Sequence, residues 1–205
     1  MAMSKAVLVV LVVLVTVAAG MAAALWYVRA TGLTAVAEPG PFETRLARTV
    51  RRLGIPAEAR ERRNPVSASS DVSAQGMAHF ADHCAACHAN DGSGNAEMGR
   101  NLFPKAPDMR LPATQELTDG ELFWIIENGI RFTGMPGWGT GTNEGVEASW
   151  HLVHFIRRLP RLTPEEIEQM EALNPRSPEE IRQEVEAERF LQGGDPPAEP
   201  PAHAH

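Results

Sequence analysis

Two cysteines, Cys84 and Cys87, are the only thiols in the chain of 205 residues, and His88 directly follows the second. Four kinds of site use cysteines at this spacing, and three of them fit this sequence poorly. A disulfide here would close a loop too short to restrict the unfolded chain much. A redox dithiol of this type belongs at a strand-to-helix junction, and a tetrahedral zinc site needs a second pair of ligands.

The fourth kind of site is a covalently attached haem. Cysteines at C-x-x-C spacing form thioethers with its vinyl groups, and the histidine that follows ligates the iron. The pentapeptide Cys84-Ala-Ala-Cys87-His88 supplies every part of that arrangement. It therefore predicts one haem c, held through Cys84 and Cys87, with His88 as an axial ligand.

An uncharged stretch of 23 residues, Ala6 to Val28, lies near the N-terminus. At about 1.5 Å per residue, a helix of this length crosses a hydrocarbon core of about 30 Å. A cleaved signal peptide is the alternative, because Ala35-Val36-Ala37 has the A-x-A form of a processing site. The stretch is longer than a normal signal core, so the sequence favours a retained anchor. Both interpretations export the rest of the chain.

The charge varies along the chain around a net value of −7. Residues 29–65 carry eight arginines against four glutamates, and residues 163–205 carry eleven acids against three arginines. An acidic protein of this kind has no electrostatic footprint for nucleic acid, so we exclude that class of partner. The arginines after the apolar stretch do not favour export. The expected location, a bacterial cytoplasmic membrane with the haem domain in the periplasm, therefore depends on the haem site, since such haem attachment occurs outside the cytoplasm.

These features divide the chain into four regions. Residues 1–29 are expected to form the anchor, 30–70 a flexible linker, 71–162 the haem domain, and 163–205 an acidic helical and disordered tail. Two helix starts of one design, a capping residue followed by proline and two glutamates, predict two short helices in the tail, at Thr163 and Ser177.

The linker contains one helical pattern, PFETRLARTVRRLGIP, from Pro41 to Pro56. Its large apolar residues fall on one helical face: Phe42, Leu46, Val50 and Leu53. Its arginines fall mostly on the other faces: Arg45, Arg48, Arg51 and Arg52. Such a helix can lie on anionic lipid or on an acidic partner, and an ordinary solvated linker helix shares the pattern.

The haem domain is predicted to be all-α, because no segment alternates apolar and polar residues as a strand does. We expect a first helix over 72–86, followed by an irregular loop over 88–112. A capping box at Thr118 predicts a middle helix that ends at Gly129, and a last helix is expected over 147–159.

Two pairs of residues outside the haem-binding motif resemble the helix contact of class I c-type cytochromes. That family pairs a glycine with an aromatic residue four positions later in its first helix, as at Gly76 and Phe80. It packs them against a leucine and an aromatic residue in its last helix, as at Leu152 and Phe155. The resemblance covers about residues 71–159 and extends to membrane-anchored bacterial monohaem cytochromes. It implies the class I cytochrome c fold.

The resemblance also implies a sixth ligand for the iron. In the family an axial methionine follows the middle helix, commonly as Met-Pro with an aromatic residue nearby, and Met135 in GMPGW matches. Met98 is close to His88 along the chain, which makes the opposite haem face hard to reach. The alternatives that remain are Met109, His151, His154 or an open site.

Further residues of the haem site follow from the same resemblance. The carbonyl of Pro107 is expected to accept a hydrogen bond from Nδ1 of His88, with Met109 packing on the haem. The indole of Trp138 can donate to a haem propionate. Large aromatic side chains are expected to exclude water from the pocket: Phe103, Trp124, Phe132 and Trp138.

The expected function is one-electron transfer, because no paired carboxylates, Ser-His-Asp set or phosphate-binding loop indicates an enzyme. The resemblance implies a quinol-oxidising complex as donor and a terminal oxidase or reductase as acceptor. Three alternatives stay open: a haem sensor or catalytic haem with an exchangeable sixth ligand, a metal-handling module that uses His203 and His205, and a subunit of a larger complex that docks through the tail.

Overall fold

A computed structural model describes residues 4–32 and 34–193, and no strand occurs in those two ranges. The structure is all-α, as the sequence predicts. The helices are α1 (Lys5–Thr31), α2 (Pro41–Gly54), α3 (Ala57–Glu61), α4 (Ser70–His79), α5 (Ala85–His88), α6 (Glu97–Arg100), α7 (Pro112–Gln115), α8 (Asp119–Asn128), α9 (Asn143–Arg158), α10 (Pro164–Glu171) and α11 (Pro178–Leu191).

The N-terminal apolar stretch forms the single long helix α1. Ser4 caps its first turn by accepting from the amide of Val7, and Gly32 ends it in the left-handed conformation. Within the described residues, α1 is the one helix long and apolar enough to cross a membrane, and none of its side chains is buried. The predicted apolar helix is confirmed.

The first helix of the haem domain runs further than expected and is not uniform. A π turn over Phe80–Cys84 joins α4 to α5, so helical backbone continues from Ser70 to His88. Each residue added to a helix advances about 100° around its axis, so a π turn rotates everything that follows it. This rotation sets the direction in which the side chains of Cys87 and His88 extend from the helix.

The crossing of α4 with α9 is the central contact of the domain. A Cβ on Gly76 would overlap the carbonyl oxygen of His151 and lie 2.9 Å from Cβ of Phe155. The rings of Phe80 and Phe155 pack with their centroids 5.2 Å apart, and Leu152 is buried beside them. The predicted pairing of the first and last helices is confirmed, and only glycine permits this approach.

The second half of the linker is not a free tether. Ile55 is 1% exposed, and the hydroxyl of Thr118 donates to the carbonyl of Arg60 over 2.9 Å. The guanidinium of Arg62 lies 4.5 Å from the ring centre of Phe123. The expectation of a flexible connection as far as residue 70 is therefore wrong for residues 55–66, because buried apolar and polar contacts fix them to the domain.

Two other elements differ from the expected pattern. The last helix, α9, begins four residues early, because the Thr142 side chain accepts from the amide of Gly145 and starts the helix in polar sequence. A short helix, α6, interrupts the expected irregular loop, and a second, α7, begins where that loop ends. The capping box of α8 is present as predicted.

The first tail helix, α10, belongs to the packed structure. Met170 is fully buried in the core cluster, and Arg158 of α9 bonds to both Ser73 and Glu166. Both α10 and α11 begin with the expected capping boxes. The side chain of Leu191 and its apolar neighbours in α11 are exposed, so the two tail helices differ in burial.

Arg157 ties the last helix to the turn before α8. Its guanidinium donates to Asp119 Oδ1 over 2.8 Å and to the carbonyls of Gln115 and Leu117. The planar fork of arginine makes these bonds together, and an ammonium group cannot. We expect R157K to lower the free energy of unfolding by about 1–2 kcal/mol. Thermal unfolding followed by Trp fluorescence would measure this loss.

Arg161 provides the matched control, because it is exposed and makes one long bond to the carbonyl of Arg157. R161K should leave the free energy of unfolding within about 0.5 kcal/mol of the unsubstituted protein. Equal effects of R157K and R161K would contradict the assigned role of Arg157.

Candidate haem site

The two cysteines lie on consecutive turns at the end of the first helix. Cys84 ends the π turn and Cys87 lies in α5, and both are free and partly buried. Burial, with a smaller contribution from Cys87, raises the pKa of the Cys84 thiol to about 12. A redox dithiol requires a lowered cysteine pKa. The environment of Cys84 therefore disfavours a redox dithiol.

His88 is buried at the end of α5, with 9% of its surface exposed. Burial lowers its pKa, and the nearby carbonyl of Pro107 opposes this by favouring the protonated ring. The net direction is downward, so the imidazole is neutral near pH 7, which is the form that ligates iron. Nδ1 of His88 is buried and makes no hydrogen bond of acceptable geometry. The carbonyl of Pro107 lies near this nitrogen but does not complete such a bond.

The chain after His88 folds back over the haem-binding segment. The carbonyl of His88 accepts from the amide of Gly94 over 2.8 Å, and the carbonyl of Gly92 accepts from the amide of Met109 over 2.8 Å. A Cβ on Gly99 would overlap the carbonyl oxygen of Cys87. These backbone contacts bring the Pro107 segment against His88.

Arg110 locks the same two segments together through charge. Its guanidinium forms a bidentate pair with Asp108, with bonds of 2.9 and 2.8 Å, and donates to Asp91 over 2.8 Å. These bonds from Arg110 hold the pKa of Asp108 below its usual range. Asp91 follows the haem-binding motif and Asp108 follows Pro107, so Arg110 fixes Pro107 relative to His88.

Met135 lies in a loop that closes on the end of α8. Its carbonyl accepts from the amide of Ile130 over 3.1 Å, and its amide donates to the hydroxyl of Thr133 over 3.1 Å. Gly129 makes this possible: its φ is +68°, and a Cβ there would lie 2.6 Å from the carbonyl oxygen of Met135. The side chain of Met135 is half-buried. These two hydrogen bonds and the conformation of Gly129 therefore hold the loop against the end of α8.

Trp138 closes the far side of this loop. Its amide donates to the carbonyl of Ile126 over 2.9 Å, and its half-buried ring lies 5.2 Å from that of His83. Phe132, which was expected in the pocket, is 93% exposed and has a φ of +61°. Phe132 thus does not pack against the described residues, whereas Trp138 does.

The candidates for the sixth ligand lie in different environments. Met109 is buried in the core cluster, and Met98 is 58% exposed. Nε2 of His154 lies 2.8 Å from the carbonyl of Val66. His151 is buried on α9 where that helix crosses α4. The sixth ligand stays a prediction, with Met135 favoured by the family resemblance.

The residues present fit a covalently bound haem. Cys84 and Cys87 supply two free thiols, and His88 supplies a neutral buried imidazole whose Nδ1 makes no hydrogen bond. Met135 supplies a thioether on a closed loop. Cys84 and Cys87 would hold the group and His88 would ligate it. When bound, haem c supplies a one-electron Fe(III)/Fe(II) couple.

The family comparison agrees with this geometry. Residues 71–156 match the family described as cytochrome c oxidase, cbb3-type, subunit III. These residues are a class I c-type cytochrome domain. The match covers both the haem-binding motif and the helix crossing, and haem c is the cofactor that the family implies. No curated protein matches the chain.

Sequence reasoning missed the residues that hold the cytochrome domain around its motif. Gly94, Gly99 and Arg110 were not singled out, although glycines at close intervals in a polar loop are a signal for close backbone approach. No sequence pattern indicated the role of Arg110, because its partners Asp108 and Asp91 lie 2 and 19 positions away in irregular sequence.

A cavity of about 660 Å³ lies between α5 and the end of α10. Ala85 and Ala86 of the haem-binding motif line it on one side and Glu171 on the other. None of Cys84, Cys87, His88 and Met135 lines this cavity.

Proposed function

We propose that the protein carries single electrons between membrane redox complexes on the periplasmic side of a bacterial cytoplasmic membrane. The cytochrome c domain has a haem electron-transfer role in general. The observation that carries the finer proposal is the loop of Met135, which is held by hydrogen bonds from the Ile130 amide to the Met135 carbonyl and from the Met135 amide to the Thr133 hydroxyl. A ligand on such a frame moves little when iron changes oxidation state.

In this proposal the protein binds one haem, because the chain has one C-x-x-C-H motif. His88 and Met135 would be the axial ligands of its iron. Six-coordinate iron in both oxidation states excludes small-molecule chemistry, so the protein is an electron carrier and not a classical enzyme. Thioether ligation raises the reduction potential relative to two imidazoles, which suits the oxidising side of a respiratory chain. Pro107 would orient His88, and Trp138 would donate to a propionate.

Location and partners are part of the same proposal. Helix α1 is long and apolar enough to anchor the chain, and covalent haem attachment supports a periplasmic domain. A quinol-oxidising complex is the proposed donor, and a terminal oxidase or reductase is the proposed acceptor. The name of the matched family, which mentions a cytochrome c oxidase, supports an oxidase as acceptor or as the complex to which the chain belongs.

Replacing Met135 tests the axial ligand. We expect M135A to lower the reduction potential by on the order of 0.1 V or more, because water or no ligand replaces the thioether. The weak long-wavelength absorbance of thioether-ligated ferric haem should disappear, and the reduced protein should bind carbon monoxide. Potentiometric titration and optical spectroscopy of the haem-loaded chain measure these changes.

M98L is the matched control, because Met98 is exposed and its loss should change neither potential nor spectrum. If the unsubstituted reduced protein already binds carbon monoxide, the iron is open and a sensor or catalytic haem replaces the proposed carrier. The metal-handling alternative uses His203 and His205, which lie outside the described residues. Deleting residues 200–205 would favour it only if copper handling were lost while electron transfer stayed unchanged.

A further inference from the structure

Helix α2 carries an apolar face that is open within the described part of the chain. Four large side chains at helical spacing are 52–80% exposed: Phe42, Leu46, Val50 and Leu53. A continuous exposed apolar stripe of this kind marks an interaction surface in a folded protein. The electron-transfer site does not use it.

The opposite side of α2 faces the cytochrome domain. Nε of Arg51 is buried, and Glu121 of α8 is close enough to act on the charge of Arg51. At 100° per residue, Arg51 lies about 145° around the helix from the middle of the stripe. Ile55, which follows α2, is buried, and Arg60 donates to its carbonyl over 2.9 Å. The apolar stripe therefore points away from the domain, in a direction that these contacts fix.

The charge of α2 suits an anionic surface. Two exposed arginines, Arg45 and Arg52, flank the stripe against the single acid Glu43, and the exposed Arg48 lies on the side of Arg51. Long arginine side chains extend along an apolar surface and keep their charge at headgroup level. The connector from α1 has nine residues, 32–40, and reaches at most about 30 Å. Helix α2 therefore starts within reach of the end of α1.

An acidic protein segment is the other conceivable partner. Helix α11 has five glutamates against two arginines and its own exposed apolar residues, but the structure leaves α2 and α11 exposed and does not pair them. Proximity to α1 along the chain favours lipid over α11, whose first residue follows α1 by about 147 positions.

We propose that α2 is an interfacial helix that lies on anionic lipid and fixes the distance and orientation of the cytochrome domain at the membrane. The inference rests on the proposed membrane anchor. The stripe enters the headgroup region. Because residues 55–66 pack against the domain, the position of α2 then sets the position of α8.

Hydrogen exchange of the full haem-loaded chain in lipid nanodiscs tests this proposal. Backbone amides of residues 41–54 should exchange at least about tenfold more slowly in phosphatidylcholine discs that contain phosphatidylglycerol than in discs without it. L46E should remove the protection, because it places a charge in the stripe. A47E is the matched control: it adds the same charge one position away, off the stripe, and should keep the protection.

The outcomes separate the anchor from the interfacial helix. A chain that fails to co-purify with nanodiscs lacks the anchor on which the inference rests. A chain that stays in the discs but exchanges α2 amides at the same rate in both lipids overturns the inference and leaves the anchor intact. Equal effects of L46E and A47E would mean that the apolar stripe does not carry the lipid contact, and would also overturn the inference.

Discussion

The double substitution C84S/C87S should leave no haem attached to the chain after denaturation. Both thioethers need a sulfur atom, and Cys84 and Cys87 are the only thiols in the sequence. Without covalent attachment, only coordinate bonds from His88 and from the proposed ligand Met135 would hold the group, and haem would be lost when the fold opens. The measurement is the mass of the denatured protein, with haem content by absorbance, after expression in a host that attaches haem c.

A86S is the control for this prediction, because it introduces serine between the two cysteines at an exposed position and keeps both thiols. It should retain full haem content. Each single variant, C84S or C87S, should keep at most one thioether and show reduced incorporation. If the double variant carried haem through denaturation, the attachment would have to use another residue, and the assignment of the motif would be wrong.

G76V should lower the free energy of unfolding by about 3 kcal/mol or more. Even the Cβ of the new side chain would overlap the His151 carbonyl oxygen, and backbone cannot move aside as a flexible side chain can. The crossing of α4 with α9 would open, together with the contact between Phe80 and Phe155. Urea unfolding of the haem-loaded chain in mild detergent, followed by the haem absorbance, measures the loss.

A74V isolates the effect of the crossing. Ala74 is an exposed residue of α4, so valine there costs only helix propensity, about 0.5 kcal/mol. A loss in G76V no larger than that in A74V would mean that the two helices do not approach as closely as the structure shows.

Local chemistry made several parts of the protein predictable. Cys84, Cys87 and His88 lie within five consecutive residues, and the capping boxes at Thr118, Thr163 and Ser177 each satisfy backbone amides within three residues. The apolar length of α1 is likewise a property of consecutive residues. The predicted helix crossing through Gly76 came from a family resemblance and could not have come from composition.

Contacts between distant segments were not predictable in the same way. The burial of Ile55 and Met170 depends on surfaces that exist only after α8 and α9 have formed. Both residues lie in segments that the sequence predicts to be linker or tail, because few apolar residues surround them. The hydrogen bonds of Arg157 and Arg110 likewise join residues far apart in the chain, and an arginine in a helix or in a polar loop does not indicate its partners.

The sequence by itself determined the kind of cofactor, the helical class and the apolar helix, because each follows from residues close together in the chain. Only the tertiary structure decided how Pro107 reaches His88, how the Met135 loop is closed, and which way α2 faces. Those three properties depend on atoms of separate segments meeting at hydrogen-bond distance, at a glycine or in a buried contact, and no pattern of residues along the chain specifies such contacts.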